Sequence, residues 1–168
     1  MLWLVPALLC TTLATASDPP SPLSAPDRRV RSTDRRIVEL LHRGVERSKT
    51  FAELVTALNT TDVIVYIERV STLPTTLAGR LLLLPMAGNQ RYLRIQVRGD
   101  LSPVELISLI GHELRHALEI AEHPDVRDES AMLTLYQQIG HPSTSALHTY
   151  DTQAAQTAGR QVRLELAG

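Results

Sequence analysis

The stretch SPVELISLIGHELRHALEIAE, residues 102–122, decides how this chain is read. Ser102 stands in an N-cap position, Pro103 occupies the first helical position, where a missing N–H costs nothing, and Glu105 can reach back to the cap. The spacing predicts a helix running to about Glu122, ended by His123-Pro124 because a residue before proline is pushed out of helical torsions. Val104, Leu106, Ile107, Ile110, Leu114, Ala117, Leu118 and Ile120 cover most of its circumference, so it is expected to be a central, buried element.

Three polar residues interrupt that apolar helix: His112, Glu113 and His116. Each helical residue advances about 100°, so the two histidines lie about 40° apart and one turn along, over the same patch. Two imidazoles so placed can share one metal ion, and the flank that Glu113 occupies suits a carboxylate that acts on water beside the ion. Burial adds weight, because an unpaired polar group in a core costs roughly 1–3 kcal/mol and coordination satisfies both rings.

Around this helix the chain alternates in character. Ile37, Leu40, Leu41 and Val45 recur at helical spacing between about Asp34 and Arg47, and Thr50-Phe51-Ala52-Glu53 reads as a capping box opening a second short helix. Residues 62–68, 79–85 and 91–97 read as strands, the last two joined by a tight turn at Gly88-Asn89. A further helix is expected from Asp128 to Ile139 and a final amphipathic one from about Asp151 to Leu166. The fold expected is α+β: a small, mostly antiparallel three-stranded sheet packed on the central His112–His116 helix, with helices before and after, all within residues 34–168.

Composition narrows the class. The formal charge of −1 and the 21% charged fraction give no basic face for nucleic acid. Met1 to Cys10 form an apolar run too short to span a bilayer, and Ala14-Thr15-Ala16 follows as a small-residue cleavage site, so residues 1–16 read as a signal peptide and the product as secreted, periplasmic or cell-envelope. Residues 17–33 read as a Pro/Ser/Arg-rich linker. The one cysteine, Cys10, lies in the presumed signal, so a mature chain would hold a metal by histidines and carboxylates alone, with no transmembrane helix.

His112, Glu113 and His116 resemble the H-E-x-x-H site of the zincin metallopeptidases, a likeness that covers about residues 62–140. It implies a zinc ion held by His112 and His116, Glu113 as general base for water attack on a peptide bond, and a third ligand further on. The metzincin pattern would need glycine at Glu119 and histidine at Glu122, so the chain departs from it twice. In gluzincins the third ligand is a glutamate on the next helix, which here implies Glu129, with Glu122 as the fallback. Helix geometry leaves Glu129 about one turn short of His116 in a simple hairpin. Tyr136, His141, His148 and Tyr150 are candidates for stabilising an oxyanion, Arg115 and Glu119 read as a helix-face ion pair, and a peptide or protein is the expected substrate. The alternative class is a non-catalytic envelope or secreted domain whose metal is structural or absent.

Overall fold

A computed structural model describes residues 28–74, 76–142 and 150–168; the proposed signal peptide, residues 17–27 of the linker and His148 lie outside them. The order of elements is β1 (Val30–Arg31), α1 (Arg35–Arg47), α2 (Lys49–Leu58), β2 (Val63–Val70), β3 (Gly79–Ala87), β4 (Gln90–Arg98), α3 (Pro103–Ala121), α4 (Glu129–Ile139), β5 (His141–Pro142), β6 (Tyr150–Asp151) and α5 (Gln153–Ala167).

The class is α+β, but the expected sheet is corrected. The main sheet has four strands in the order β1-β2-β4-β3, with β1, β2 and β4 parallel and only β3 antiparallel, and β5 pairs with β6 in a separate two-stranded ribbon. The chain leaves β2, crosses to the far edge as β3, and turns at Gly88 (φ 59°) so that β4 returns between them. β2 and β4 then run side by side in register from Val63↔Arg91 to Val70↔Arg98. Reading consecutive strands as neighbours missed this crossing. A clue lay in β2, where Val63, Ile64 and Val65 are all buried, the near-continuous apolar run of a central parallel strand. β1 falls inside the stretch assigned to the linker; two residues are too short to show periodicity, and Val30 is buried against the core.

Helix α3 lies between the sheet and helices α2 and α5. Its Leu106, Ile107, Ile110, Leu114, Ala117 and Ile120 are wholly buried, as the periodicity predicts. Its N-terminus carries the expected capping box between Ser102 and Glu105. The cap of α2, by contrast, is Ser48 and not Thr50: the Ser48 hydroxyl accepts from Phe51 N at 3.1 Å.

The other end of α3 is held by a residue of the sheet. Arg91 on β4 is fully buried, and its guanidinium grips both carboxylate oxygens of Asp62 at 2.7 and 2.8 Å. The same group donates to the carbonyls of Ile120 and His123 at 2.8 Å, of Val126 at 3.2 Å and of Ala121 at 3.3 Å. Ile120 and Ala121 belong to the end of α3 and His123 and Val126 to the turn beyond it, and a planar fork is the side chain that can reach several carbonyls at once. A second tie sits at the start of α2, where the Glu165 carboxylate of α5 accepts from Ser48 Oγ at 2.5 Å and from Thr50 N at 3.0 Å. Burial works against its charge, but hydrogen bonds from Ser48, Gln161 and Thr50 outweigh that and hold its pKa down at about 2.

Two stability predictions follow from these ties. Arg91→Met removes the paired contact with Asp62 and the hydrogen bonds to four carbonyls and should cost about 3–5 kcal/mol in urea denaturation, with Arg91→Lys, which keeps the charge and loses the fork, falling between. Glu165→Gln should cost about 1–2 kcal/mol at pH 7, allowing for its partial exposure. Because the folded pKa lies below the ordinary value of 4.5, that contribution is whole above about pH 5 and fades as pH falls towards 2. Wild-type and Glu165→Gln melting curves should therefore converge at the acid end; a constant gap across that range would rule the tie out.

Candidate metal centre

His112 and His116, one turn apart on α3, stand edge to face with ring centroids 4.8 Å apart and planes at 81°. The residue that joins them is Asp151, the last of β6: its Oδ1 lies 3.5 Å from Nε2 of His112 and 3.5 Å from Nε2 of His116. The three ligand atoms all fall within 4.8 Å of one another, a group that can hold a metal ion. Ligands about 2.0–2.2 Å from a tetrahedral centre stand roughly 3.3–3.5 Å from each other, so the two nitrogen–oxygen separations already match coordination.

Asp151 reaches this position because of how α5 docks. It immediately precedes Thr152, the N-cap of α5, and α5 packs closely against α3. A Cβ at Gly159 would meet His112 Cβ at 3.1 Å and Ser108 O at 3.3 Å, and one at Gly111 would meet Val162 Cγ2 at 2.9 Å. Bare backbone at both places lets the helices approach, and the start of α5 then falls over the imidazoles.

A second layer fixes the rings. Glu119, buried and one turn beyond His116, takes the Nδ1 side of that imidazole at 2.9 Å and accepts from Thr152 Oγ1 at 2.7 Å. His116 is thereby oriented with Nε2 towards Asp151, and the loop that delivers Asp151 is tied to the same carboxylate. Burial favours the neutral His116 ring, but the Asp151 and Glu119 carboxylates prevail and push its pKa up to about 9. Asp151 is also desolvated, yet His116 and Gln156 hold it well below the usual carboxylate range. His112 shifts down, from burial first and then the nearby His116 charge.

Glu113 faces the same space from the sheet side of α3. It is buried, and desolvation raises its pKa to about 7. Its Oε1 would sit 3.1 Å from a Cβ at Gly79, so the glycine that opens β3 leaves room for the carboxylate. His112, Glu113, His116 and Asp151 share the wall of one cavity of about 410 Å³, which also meets β3 and α4.

Glu129 stands elsewhere than the resemblance implies. It is exposed at the first turn of α4, on the wall of that cavity but outside the group of metal-capable side chains. The residue of α4 that meets His116 is Tyr136, its ring edge-on at 5.4 Å. Glu122 is exposed and paired with Arg115 at 3.1 and 3.2 Å. The Tyr136 hydroxyl donates to the His116 carbonyl at 3.2 Å, so that oxyanion candidate is already engaged; His141 is exposed, and Tyr150 lines the cavity. Arg115 does approach Glu119, at 3.7 Å, but the sequence reading missed Glu119's hold on His116 and missed Asp151 altogether. The available signal for Asp151 was an acidic residue directly ahead of a Thr N-cap; for Glu119 it was the i, i+3 spacing from His116.

If Glu119 orients His116, Glu119→Ala should weaken metal binding about 10- to 100-fold in a chelator competition while the far-ultraviolet spectrum stays native. Unchanged affinity would show that the carboxylate only packs. Among known proteins, no family model, no curated protein and no solved structure matches this chain.

Proposed function

We propose that this chain is an exported zinc-dependent hydrolase of peptide bonds. The observation that carries the proposal is the convergence of two Nε2 atoms and one carboxylate oxygen on the wall of a cavity that Glu113 also lines. Three protein ligands beside open space is the pattern of a catalytic zinc site, whereas a structural site closes with a fourth. Two imidazoles and one carboxylate suit zinc among the common divalent ions. Bound there, zinc would acidify a water and polarise a carbonyl oxygen.

The residues of the chain supply the rest. Glu113 is not needed as a ligand, and it sits within reach of the space the ligands enclose. It takes the proton from the attacking water and delivers it to the departing amine. Glu119 and Thr152 keep His116 and Asp151 facing that space. Peptide is favoured as substrate because β3, which among the described residues pairs only with β4, runs along the cavity with Gly79, Arg80 and Leu81 on its wall. An extended chain can add to such an edge through its backbone amides. Export is supported by the apolar run and small-residue site of residues 1–16.

The test uses Glu113→Gln in zinc-loaded protein. Hydrolysis of a quenched peptide mixture should fall by at least about 100-fold, with zinc content and melting temperature held near wild type, and removal of zinc by a chelator should abolish the wild-type activity reversibly. If wild-type protein cleaves nothing while zinc raises its melting temperature by many degrees, the metal pins α5 to α3 and the hydrolase proposal fails.

A further inference from the structure

His112 belongs to two cavities. Besides the one it shares with Glu113, His116 and Asp151, it lines a second, of about 440 Å³, that opens between the first half of α3 and the middle of α5. The segment entering β3 runs past both, with Leu77 and Gly79 on the first and Ala78 on the second. Between the helices the second cavity is floored by Gly159, where a Cβ would meet His112 Cβ at 3.1 Å. The two cavities adjoin at the imidazole, so an extended chain lying across the metal group continues from one into the other.

The second cavity has a charge of its own. Arg160 and Arg163 stand three apart on α5, hence on one face of it; both line the cavity and both are exposed. Arg160 donates to Thr157 Oγ1 at 3.2 Å, and Arg163 makes no hydrogen bond or ion pair among the described residues. The one acid on this lining is Glu105, whose carboxylate is held in the α3 capping box, accepting from Ser102 N at 3.0 Å and Ser102 Oγ at 2.6 Å. Asp151 lines the first cavity and meets the second only through Gln156, which donates to its Oδ2 at 2.9 Å. Two guanidiniums with unengaged N–H groups against one carboxylate held elsewhere leave this end of the groove positive. The planar fork of each is the geometry that receives two carboxylate oxygens.

We infer that the second cavity anchors a carboxylate of the substrate, so that the peptides taken are those presenting an anionic group close to the cleaved bond. That group is the free C-terminus of a short peptide or the side chain of an aspartate or glutamate; either offers two oxygens to Arg160 and Arg163. The inference rests on the hydrolase reading for which bond is cut, and on the groove and its arginines for the anchoring. Arg160 follows Gly159 directly, which sets the anchor a few residues at most from the imidazole, each extended residue spanning about 3.3–3.6 Å. Held at that end, the peptide brings one amide over the metal group, and the anchor acts by positioning.

The experiment measures binding without turnover. Zinc-loaded Glu113→Gln protein is titrated calorimetrically with one uncharged peptide as its C-terminal amide, the same peptide as its free acid, and amides carrying a single glutamate or a single lysine at successive positions. The free acid or one of the glutamate amides should bind about 10- to 100-fold more tightly than the uncharged amide, and the lysine amides no more tightly than it. Which of the two gains names the source of the carboxylate. Replacing both exposed arginines, Arg160→Gln with Arg163→Gln, should remove the gain while zinc affinity and melting temperature stay near those of the parent. Equal affinities across the series, no binding by any peptide, or a gain that survives the double replacement would each overturn the anchor. Wild-type protein is assayed for cleavage of the same series. Cleavage without carboxylate preference leaves the hydrolase and removes the anchor; a carboxylate preference in binding without any cleavage leaves the anchor and removes the hydrolase.

Discussion

A helix buried over most of its length has to satisfy the polar groups it carries inward, and α3 shows how that requirement shapes the rest of the molecule. Its first turn is closed by its own capping box, its last carbonyls by a guanidinium from the sheet, and its mid-length polar residues by groups brought in from α5. The partners near His116 matter most, because an unpaired donor or acceptor at that depth costs a sizeable fraction of a domain's net stability. The strand carrying Arg91 and the helix preceded by Asp151 are therefore placed by the needs of α3 as much as by their own apolar faces.

What could be read from the sequence follows from the range of the interactions involved. The helix α3, its cap, and the facing pair His112 and His116 depend on neighbours within a few residues, and spacing reports those directly. The main strands and the antiparallel β3–β4 hairpin were legible for the same reason, while the parallel pairing of β2 with β4 and of β1 with β2 was not: it depends on where a connection lands, and a two-residue strand has no period to detect. Asp151 and Glu119 illustrate the limit at the site. Asp151 is far from His116 along the chain and reaches it only because Gly111 and Gly159 let two helices cross closely, a tertiary fact with no local signature. Glu119 was within reach by spacing, and was assigned to Arg115 because an exposed ion pair is the commoner use of such a residue.

The same comparison explains why Glu129 lies on the cavity wall but outside the group formed by His112, His116 and Asp151. Ligand choice by resemblance assumes that α4 folds back over α3 at the right height. Here α4 begins after the turn at residues 122–128, with Asp128 and Glu129 spent at its N-terminus, so that Tyr136 is what arrives opposite His116. The Asp128 carboxylate caps the helix, accepting from Ala131 N at 2.8 Å. Acidic residues at a helix start are stabilised there by unpaired amides, and that local use outweighed the distant one.

Helix α5 links the site to the stability of the whole. Its C-terminal turn is tied to α2 through Glu165, its middle rests bare against α3, and its N-terminus holds Asp151 and Thr152 against His116 and Glu119. Burial disfavours charge on His116, while the two carboxylates that flank it favour its proton. A divalent ion entering the group would take the place of that proton while binding His112 as well, so the cation and the docked helix stabilise each other. The geometry of this group is then a property of the folded domain rather than of any one segment, and that is why a local pattern could locate His112 and His116 and not Asp151.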